Sequence, residues 1–319
     1  PQRIMYSYMV KVAGILGIVL GLSALGQSSA AELELFADSD VVGKSQSILA
    51  EYEDTFIKLA RQYNLGYEEL VQANPSVDPW LPGEGTEIIL PMHFVLPKVP
   101  RQGIVINLPE LRLYYYPDGE SGRVITHPIS IGRVAWGTPL GRSEIVSKTL
   151  NPTWYPPESI RQERAAENRP LPKVVPPGPD NPLGKHALRL SLPGYLIHGT
   201  NKPSGLGMRV THGCIRMFPE DIEALFETVP VGTPVRIVNQ PYKIGWSNDG
   251  FYLEAHPPLD QDSVDDAWTM TELTRAFVVA TEEGQGEFFS WDLAEVVALR
   301  SLGIPEFISS ESLIVQVQK

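Results

Sequence analysis

The sequence predicts an α+β protein that is mainly β, with a small helical module before its strand-rich body and an acidic helical extension after it. Three observations support this fold class. Apolar residues repeat at helical spacing between residues 57 and 73, and then at a period of two from residue 104 onwards. The 29 prolines cluster in the intervening loops. The content of 43% hydrophobic and 20% charged residues is typical of a globular protein.

Residues 1–31 have the pattern of a secretory signal. Arg3 and Lys11 precede an apolar run over 12–25, and small residues follow this run at 28–31. A retained membrane anchor is the alternative, but the run is shorter than the roughly 20 apolar residues that span a bilayer. We therefore expect an exported protein.

Residues 48–91 form the predicted helical module. Two stretches with helical spacing, 57–63 and 67–73, are followed by a short strand over 87–90. Segment 92–102 contains two prolines and predicts a stiff linker to the body.

Residues 103–240 form the predicted body, in which period-two alternation indicates strands. The predicted strands cover 104–108, 111–116, 124–131, 187–191, 195–198 and 233–239. Pro219 in a first turn and the acidic residues after it predict a helix over 218–228. The proline-rich segment 150–186 predicts a long functional loop with a short helix near 160–168.

Residues 241–319 form the predicted C-terminal extension, which carries most of the negative charge. Of the formal net charge of −12, residues 247–319 contribute −11. Two amphipathic helices are expected there, over about 264–281 and from Ser290 as N-cap to Gly303. The sequence offers no basic face, so nucleic-acid binding is excluded, and the acidic tail is interpreted as a solvated surface.

Cys214 is the only cysteine of the sequence. In an exported protein a leftover thiol is either an intermolecular partner or a reactive group, because cysteines there are normally paired. His212 and Arg216 flank it two residues away, and His198 ends a predicted strand upstream. An imidazole within about 3–3.5 Å of a thiol takes its proton or stabilises the thiolate as an ion pair. This pattern favours a nucleophile over a buried structural cysteine.

The surroundings of Cys214 predict an oxyanion site and argue against a metal site. Gly213 leaves room for a substrate, so the N–H groups of Gly213 and Cys214 are expected to face a developing oxyanion. His198, His212 and Cys214 are zinc-binding residue types, but no second cysteine or neighbouring acid completes a set of ligands. We therefore expect no metal.

A resemblance to a known family rests on two runs, His198-Gly199-Thr200 and Thr211-His212-Gly213-Cys214-Ile215-Arg216. Together they resemble the signature of the YkuD family of L,D-transpeptidases, over residues 101 to about 240. Further runs, at 151–154, 174–184, 187–190 and 254–256, are similar to the periplasmic subgroup that attaches the major outer-membrane lipoprotein to peptidoglycan. The resemblance implies a periplasmic enzyme with a β-sandwich catalytic domain and no cofactor.

A second resemblance rests on ten positions within 48–91, namely Asp54, Thr55, Leu59, Ala60, Tyr63, Leu70, Asn74, Leu81, Gly83 and Pro91. Through them the segment resembles a LysM module, a small strand-helix-helix-strand fold that binds N-acetylglucosamine-containing glycans. Glu53 departs from that family, which has glycine at this position. A generic helical hairpin that only spaces the enzyme from its anchor is the alternative.

The resemblance also implies roles for individual residues. Cys214 attacks the diaminopimelate carbonyl of a peptidoglycan tetrapeptide stem and expels D-alanine, with His198 as general base and then acid. The acyl group passes to an amine, either of a lipoprotein lysine or of a second diaminopimelate. His212 assists at the thiol or orients the loop, and Arg216 holds a carboxylate or braces the site. The remaining residues expected to line the substrate cleft are Gly213, Gly199, Thr200, Tyr195, Met208 and Arg209.

Two other functions stay open from the sequence alone. The same acyl-enzyme could pass to water, which would make the protein an L,D-carboxypeptidase or a lipoprotein-releasing amidase. A degenerate enzyme fold could instead bind the cell wall without any chemistry. His212 as a satisfied loop histidine and Arg216 as a structural ion-pair partner are the corresponding alternatives for single residues.

Overall fold

The computed structural model describes residues 31–119, 122–133, 136–259, 270–282 and 286–310. The predicted signal therefore lies outside the described residues except for Ala31, and so do residues 264–269 of the first predicted tail helix. Within the described ranges, no helix combines the length and the apolar character that crossing a membrane requires.

The described residues form eighteen strands and six α-helices. The strands are β1 (Ala31–Leu35), β2 (Val41–Gly43), β3 (Gln46–Leu49), β4 (Glu87–Leu90), β5 (His93–Val95), β6 (Gly103–Asn107), β7 (Arg112–Tyr116), β8 (Gly122–Pro128), β9 (Ile131–Gly132), β10 (Gly141–Leu150), β11 (His186–Leu190), β12 (Leu196–His198), β13 (Arg209–Thr211), β14 (Ile215–Arg216), β15 (Pro234–Val238), β16 (Tyr242–Ser247), β17 (Gly250–Ala255) and β18 (Glu306–Phe307). The helices are α1 (Phe56–Gln62), α2 (Tyr67–Ala73), α3 (Glu158–Ala166), α4 (Pro219–Thr228), α5 (Met270–Ala280) and α6 (Trp291–Arg300).

Nine strands form one large sheet in the order β1-β8-β7-β6-β15-β10-β11-β12-β14. β10 pairs with β15 through its first residues and with β11 through its later ones, with a register shift between Ile145 and Ser147. Such an irregularity bends a strand. Residues from both sides of β10 consequently share one hydrophobic cluster, which α4 also joins; its members include Ile104, Ile106, Leu188, Ile197, Ile222 and Leu225. The predicted mainly β fold with some helices is confirmed.

The N-terminal part differs most from the prediction. β1 pairs antiparallel with β8 and so extends the large sheet, although no strand is predicted there. The predicted linker 92–102 contains β5, which pairs with β2, and it buries Val95 and Leu96. The linker prediction is therefore wrong for 93–96, because both prolines of the segment follow this short strand instead of interrupting it.

The module between these segments has the predicted order of strand, helix, helix and strand. β3 pairs antiparallel with β4, and α1 and α2 lie between them in sequence. Thr55 caps α1 by accepting a hydrogen bond from the Lys58 N–H at 3.2 Å. Phe56, Leu70 and Ile88 form part of its core. Whether it is a LysM module stays a prediction.

The C-terminal unit is not purely helical as predicted. β16 and β17 form a hairpin to which β18 adds, and α5 and α6 pack on it around Leu273, Phe251 and Ala294. The alternation that would reveal these strands is missing, because most residues of both strands are buried. The second tail helix is confirmed, with Ser290 as its N-cap.

Two buried charge clusters tie the flanking units to the hairpin formed by β6 and β7. On the module side, the Arg112 guanidinium binds both carboxylate oxygens of Glu69, with Nε–Oε1 at 2.6 Å and Nη2–Oε2 at 2.8 Å. On the C-terminal side, the Lys243 ammonium contacts Glu110 and lies 3.0 Å from Oε1 of Glu254. Buried ion pairs of this kind fix the position of the groups they join, because breaking one leaves an uncompensated charge.

Candidate active site

His198 and Cys214 lie at two strands that pair with each other. His198 ends β12, and Cys214 directly precedes β14, which runs parallel to β12 with His198 opposite Arg216. Side chains two residues apart on a strand point to the same face. The register therefore places Arg216 opposite His198, and the Arg216 charge acts on both the imidazole of His198 and the thiol of Cys214.

The imidazole of His198 is held as one neutral tautomer. Its Nδ1 lies 2.6 Å from the carbonyl oxygen of Gly199. A carbonyl oxygen only accepts hydrogen bonds, so Nδ1 carries the proton, and the Leu183 carbonyl also contacts the ring. Burial and the nearby Arg216 charge lower the pKa of His198 to about 3, against the opposing effect of the backbone carbonyls beside it. His198 is consequently unprotonated at neutral pH.

The thiol of Cys214 is partly exposed and donates to the carbonyl oxygen of Gly194 at 3.7 Å. Burial raises the pKa of the thiol, while the Leu196 backbone and the Arg216 charge act in the opposite direction. A raised thiol pKa beside a lowered imidazole pKa keeps the proton on sulfur. The resting site is therefore a neutral pair, which favours proton removal by a general base over a preformed ion pair.

The guanidinium of Arg216 has no carboxylate partner among the described residues, and its buried Nε has no hydrogen-bond acceptor there. Burial lowers its pKa, opposed by the nearby thiol. An unpaired guanidinium at the nucleophile is suited to bind an anion, because it forms charge-assisted and often bidentate hydrogen bonds with carboxylates.

Two threonines fix the peptide groups around the nucleophile. Thr211 Oγ1 accepts a hydrogen bond from the Gly213 N–H at 3.2 Å and donates to the Cys214 carbonyl at 2.6 Å. Thr138 Oγ1 donates to the Gly213 carbonyl at 2.8 Å. The Gly213 N–H is thus engaged by Thr211 in the resting structure, and its role at the oxyanion stays a prediction. The Cys214 N–H has no acceptor in the described part of the chain and remains available.

The long loop reaches the site through its helix α3. Glu163 on α3 lies with Oε2 at 2.8 Å from His212 Nε2, and it also pairs with Arg133. The hydrogen bonds from these two partners lower the pKa of Glu163, and the bond from Arg133 has the larger effect. The Trp136 ring meets the His212 ring edge-on at 5.3 Å between centroids. His212 Nε2 is thus used to hold α3, and assistance at the thiol by His212 stays a prediction.

Comparison with known proteins identifies the family. The YkuD family model, described as an L,D-transpeptidase catalytic domain, matches residues 101–237. The Escherichia coli protein named "Probable L,D-transpeptidase YcfS" is 44% identical over 236 residues, covering 72% of this chain and 73% of that relative. The chain belongs to the L,D-transpeptidase family. A second E. coli relative, "Probable L,D-transpeptidase YbiS", is 40% identical over 272 residues, 84% of this chain and 88% of its own length.

A solved L,D-transpeptidase from Mycobacterium smegmatis also resembles this L,D-transpeptidase, though only remotely. It is 18% identical and covers 46% of this chain and 62% of its own, with a TM-score of 0.35. A likeness of this size supports no argument about the site. The assignment to the family rests on the family model and the E. coli relatives.

The other predicted cleft residues of the L,D-transpeptidase lie in two groups. Tyr195 lies against Gly213, where an added Cβ would be 2.9 Å from its ring, and Gly199 holds the imidazole. Thr200 is buried and accepts a hydrogen bond from the Lys202 N–H at 3.0 Å. Met208 N donates to Ser130, and Arg209 lies beside Glu68 of the module. Substrate contacts by all of these residues stay predictions.

Sequence reasoning missed three residues that surround the nucleophile of this enzyme. Thr138, Arg133 and Glu163 lie on two loops that are 49 or more residues from the residue each contacts. The only signals were general ones, namely a loop before β10 and a long proline-rich loop expected to be functional.

Thr138→Val is expected to slow acylation of this L,D-transpeptidase about tenfold, because the Gly213 carbonyl loses its donor and the Cys214 N–H loses its orientation. One hydrogen bond of about 1–1.5 kcal/mol corresponds to that factor. Thr138→Ser keeps the hydroxyl and should restore the rate. The measurement is the second-order rate of Cys214 acylation by a carbapenem, followed by mass spectrometry. A valine variant that reacts within twofold of the parent would rule out this role.

Proposed function

We propose that the enzyme is an exported L,D-transpeptidase that acts on the tetrapeptide stems of peptidoglycan in the cell envelope. Its donor is the carbonyl of the third stem residue, diaminopimelate, and its first product is D-alanine. One observation carries the proposal: in a chain of this family, a neutral imidazole ends one strand and a partly exposed thiol directly precedes the strand paired with it, near an unpaired guanidinium that acts on the pKa of both groups.

In the acylation step, Sγ of Cys214 attacks the carbonyl carbon while Nε2 of His198 takes the thiol proton. The oxygen of the tetrahedral intermediate accepts a hydrogen bond from the Cys214 N–H. When the intermediate collapses, the C–N bond breaks and the leaving nitrogen takes the proton from His198. The products are a thioester on Cys214 and free D-alanine.

In the transfer step, an acceptor amine attacks the thioester and gives a proton to His198, which returns it to the departing sulfur. The acceptor is the side-chain amine of a lipoprotein lysine or of a second diaminopimelate. The names of the relatives, which are transpeptidases and not hydrolases, favour an amine over water.

A mass-spectrometric assay tests the proposal. The purified enzyme is incubated with a disaccharide-tetrapeptide, with and without a peptide that carries the lysine-containing C-terminus of the lipoprotein. Loss of D-alanine with a new amide to either amine supports transfer. Loss of D-alanine without a new amide supports hydrolysis instead. An enzyme that yields no product and is not acylated by a carbapenem would refute the proposal.

Arg216 is proposed to bind the carboxylate of the D-alanine that leaves. Arg216→Gln is expected to raise KM for the tetrapeptide by about tenfold or more, because a charge-assisted hydrogen bond of about 1.5–3 kcal/mol is lost. A stem that ends in D-alanine amide lacks the negative charge, so its KM should change little between the parent and Arg216→Gln. Arg189→Gln removes an exposed guanidinium from β11, which β12 separates from β14, and serves as the matched control.

If Arg216→Gln raises KM equally for the acid and the amide substrates, Arg216 does not bind the carboxylate. A second readout is the acid limb of the pH profile. Because Arg216 lowers the pKa of His198, Arg216→Gln should move that limb to higher pH.

The cellular setting is also part of the proposal. The segment over 1–31 supports export to the periplasm, and the strand-helix-helix-strand order supports glycan binding by the module at 48–91. Fractionation of cells that express the full chain tests the first point. Co-sedimentation of Cys214→Ala protein with purified sacculi tests the second.

A further inference from the structure

The loop over 203–208 leads from the strand that carries His198 towards the strand that precedes Cys214, and the N-terminal module forms one side of it. The first two N–H groups of α2 point at this loop. Tyr67 N donates to the Leu206 carbonyl at 3.2 Å, and Glu68 N donates to the Gly207 carbonyl at 3.1 Å. N–H groups in a first helical turn have no partner within the helix. The loop therefore supplies acceptors that α2 lacks.

Two glycines allow these backbones to touch. Gly207 has φ of +79°, and a Cβ on it would lie 2.3 Å from Gly66 Cα and 2.4 Å from Tyr67 N. A Cβ on Gly66 would lie 3.0 Å from Gly207 Cα. Real Cβ atoms do not approach backbone this closely, so any side chain at 207 must push the loop and the module apart.

The same loop is connected to the catalytic strand on its other side. The buried Ser130 donates from Oγ to the Gly205 carbonyl at 3.1 Å and accepts from Met208 N at 3.3 Å. The backbone of Ser130 pairs with that of Arg216 through hydrogen bonds of 2.8 and 2.9 Å. Contacts therefore run without interruption from α2 through the loop and Ser130 to β14, directly beyond Cys214.

The module is fixed firmly enough to act as a support. Besides the buried pair of Glu69 and Arg112, the Asn64 side-chain amide donates to Asp221 Oδ1 at 2.8 Å, and both residues are buried. Asp221 lies in α4, which packs on the large sheet. The module is therefore anchored to the catalytic part at two points that flank the contact with the loop, one on each side of Gly66 and Tyr67.

We infer that the N-terminal module is a positioning element of the active site. The contact between Gly66 and Gly207 lets the module hold the loop at 203–208 in place. The position of this loop in turn sets the spacing between His198 and Cys214. The rate of Cys214 acylation thus depends on the module even with a small ligand that has no glycan. This inference rests on the proposed thiol chemistry, but not on glycan binding by the module.

The test compares Gly207→Ala with Gly85→Ala in the full-length protein. Gly85 belongs to the same module and has φ of +81°, but a Cβ on it would meet nothing within 4 Å. Both variants carry similar backbone strain, and only one carries the clash. The readouts are the second-order rate of acylation by a carbapenem and the midpoint of thermal unfolding. Misplacing reacting groups by about 1 Å costs as much as 10²-fold in rate.

We expect Gly207→Ala to react at least about tenfold more slowly than Gly85→Ala, which should stay within about twofold of the parent. Gly207→Ala that folds and reacts like Gly85→Ala would overturn the inference. If Gly207→Ala does not fold, Gly66→Ala takes its place in the test. Gly66 has a φ that any residue can adopt, and its added Cβ would approach the facing backbone less closely than that of Gly207. Gly66→Ala should react about threefold or more slowly than the parent, and a parental rate would overturn the inference. A parent that is itself inert would count against the proposed function instead.

Discussion

Cys214→Ala is expected to abolish release of D-alanine from a tetrapeptide stem, a loss of about 10⁴-fold or more, while the fold stays intact. No other cysteine exists in the chain to form the thioester. The thiol contributes little to packing, since it is partly exposed and its hydrogen bond to the Gly194 carbonyl is 3.7 Å long. The measurement is mass spectrometry of released D-alanine and of the carbapenem adduct, together with the unfolding midpoint.

Cys214→Ser is the matched control for the nucleophile. The hydroxyl keeps the size of the side chain, but it is a far weaker nucleophile than a thiol when only a neutral imidazole assists it. We expect the serine variant to be nearly as inactive as the alanine variant. Measurable transfer by Cys214→Ala would mean that the thiol is not the nucleophile.

His198→Gln should lower turnover by about 10²- to 10⁴-fold, because the variant has no base to take the thiol proton. Glutamine keeps a donor for the Gly199 carbonyl, so the local structure loses little. His186→Gln is the matched control, since His186 is also buried and lies on neighbouring β11, with its ring against Phe226. The control is expected to retain its turnover. Equal rates for His198→Gln and the parent would remove His198 from the mechanism.

The pH profile of the parent is a second measurement on His198. The base must be unprotonated and the pKa of His198 is about 3, whereas the pKa of the thiol is raised above its ordinary value. The rate of carbapenem acylation should therefore show no acid limb between about pH 5 and 8. An acid limb near the ordinary histidine pKa of about 6.5 would contradict the neutral pair.

The family and the candidate nucleophile were predictable from sequence because their signals are local, whereas the roles of Cys214 and His198 stay predictions. Cys214 is the only thiol, and the glycines and histidines around it lie within a few residues. His198 lies at the end of a short strand that contains the apolar residues Leu196 and Ile197. The module was predictable for the same reason, since capping at Thr55 and helical spacing act over less than two turns.

The rest of the site depends on contacts that no local pattern encodes. Thr138 and Gly213 are 75 residues apart in sequence, and Glu163 reaches His212 only because α3 folds back over the sheet. The hairpin of β16 and β17 was missed for a different reason. Its strands are covered on both sides, so apolar and polar residues do not alternate along them. They also contain the buried charges of Lys243 and Glu254, so their composition does not indicate a strand either.

Glu110 and Arg112 are two residues apart on the β6–β7 hairpin, yet each has a counterion in a different flanking segment of the chain. A fragment limited to residues 103–240 would lose both counterions together with the segments that cover them. Each flanking segment therefore supplies one charge that the hairpin leaves uncompensated, so both ends of the chain are matched to the same short stretch of the part that the family model covers.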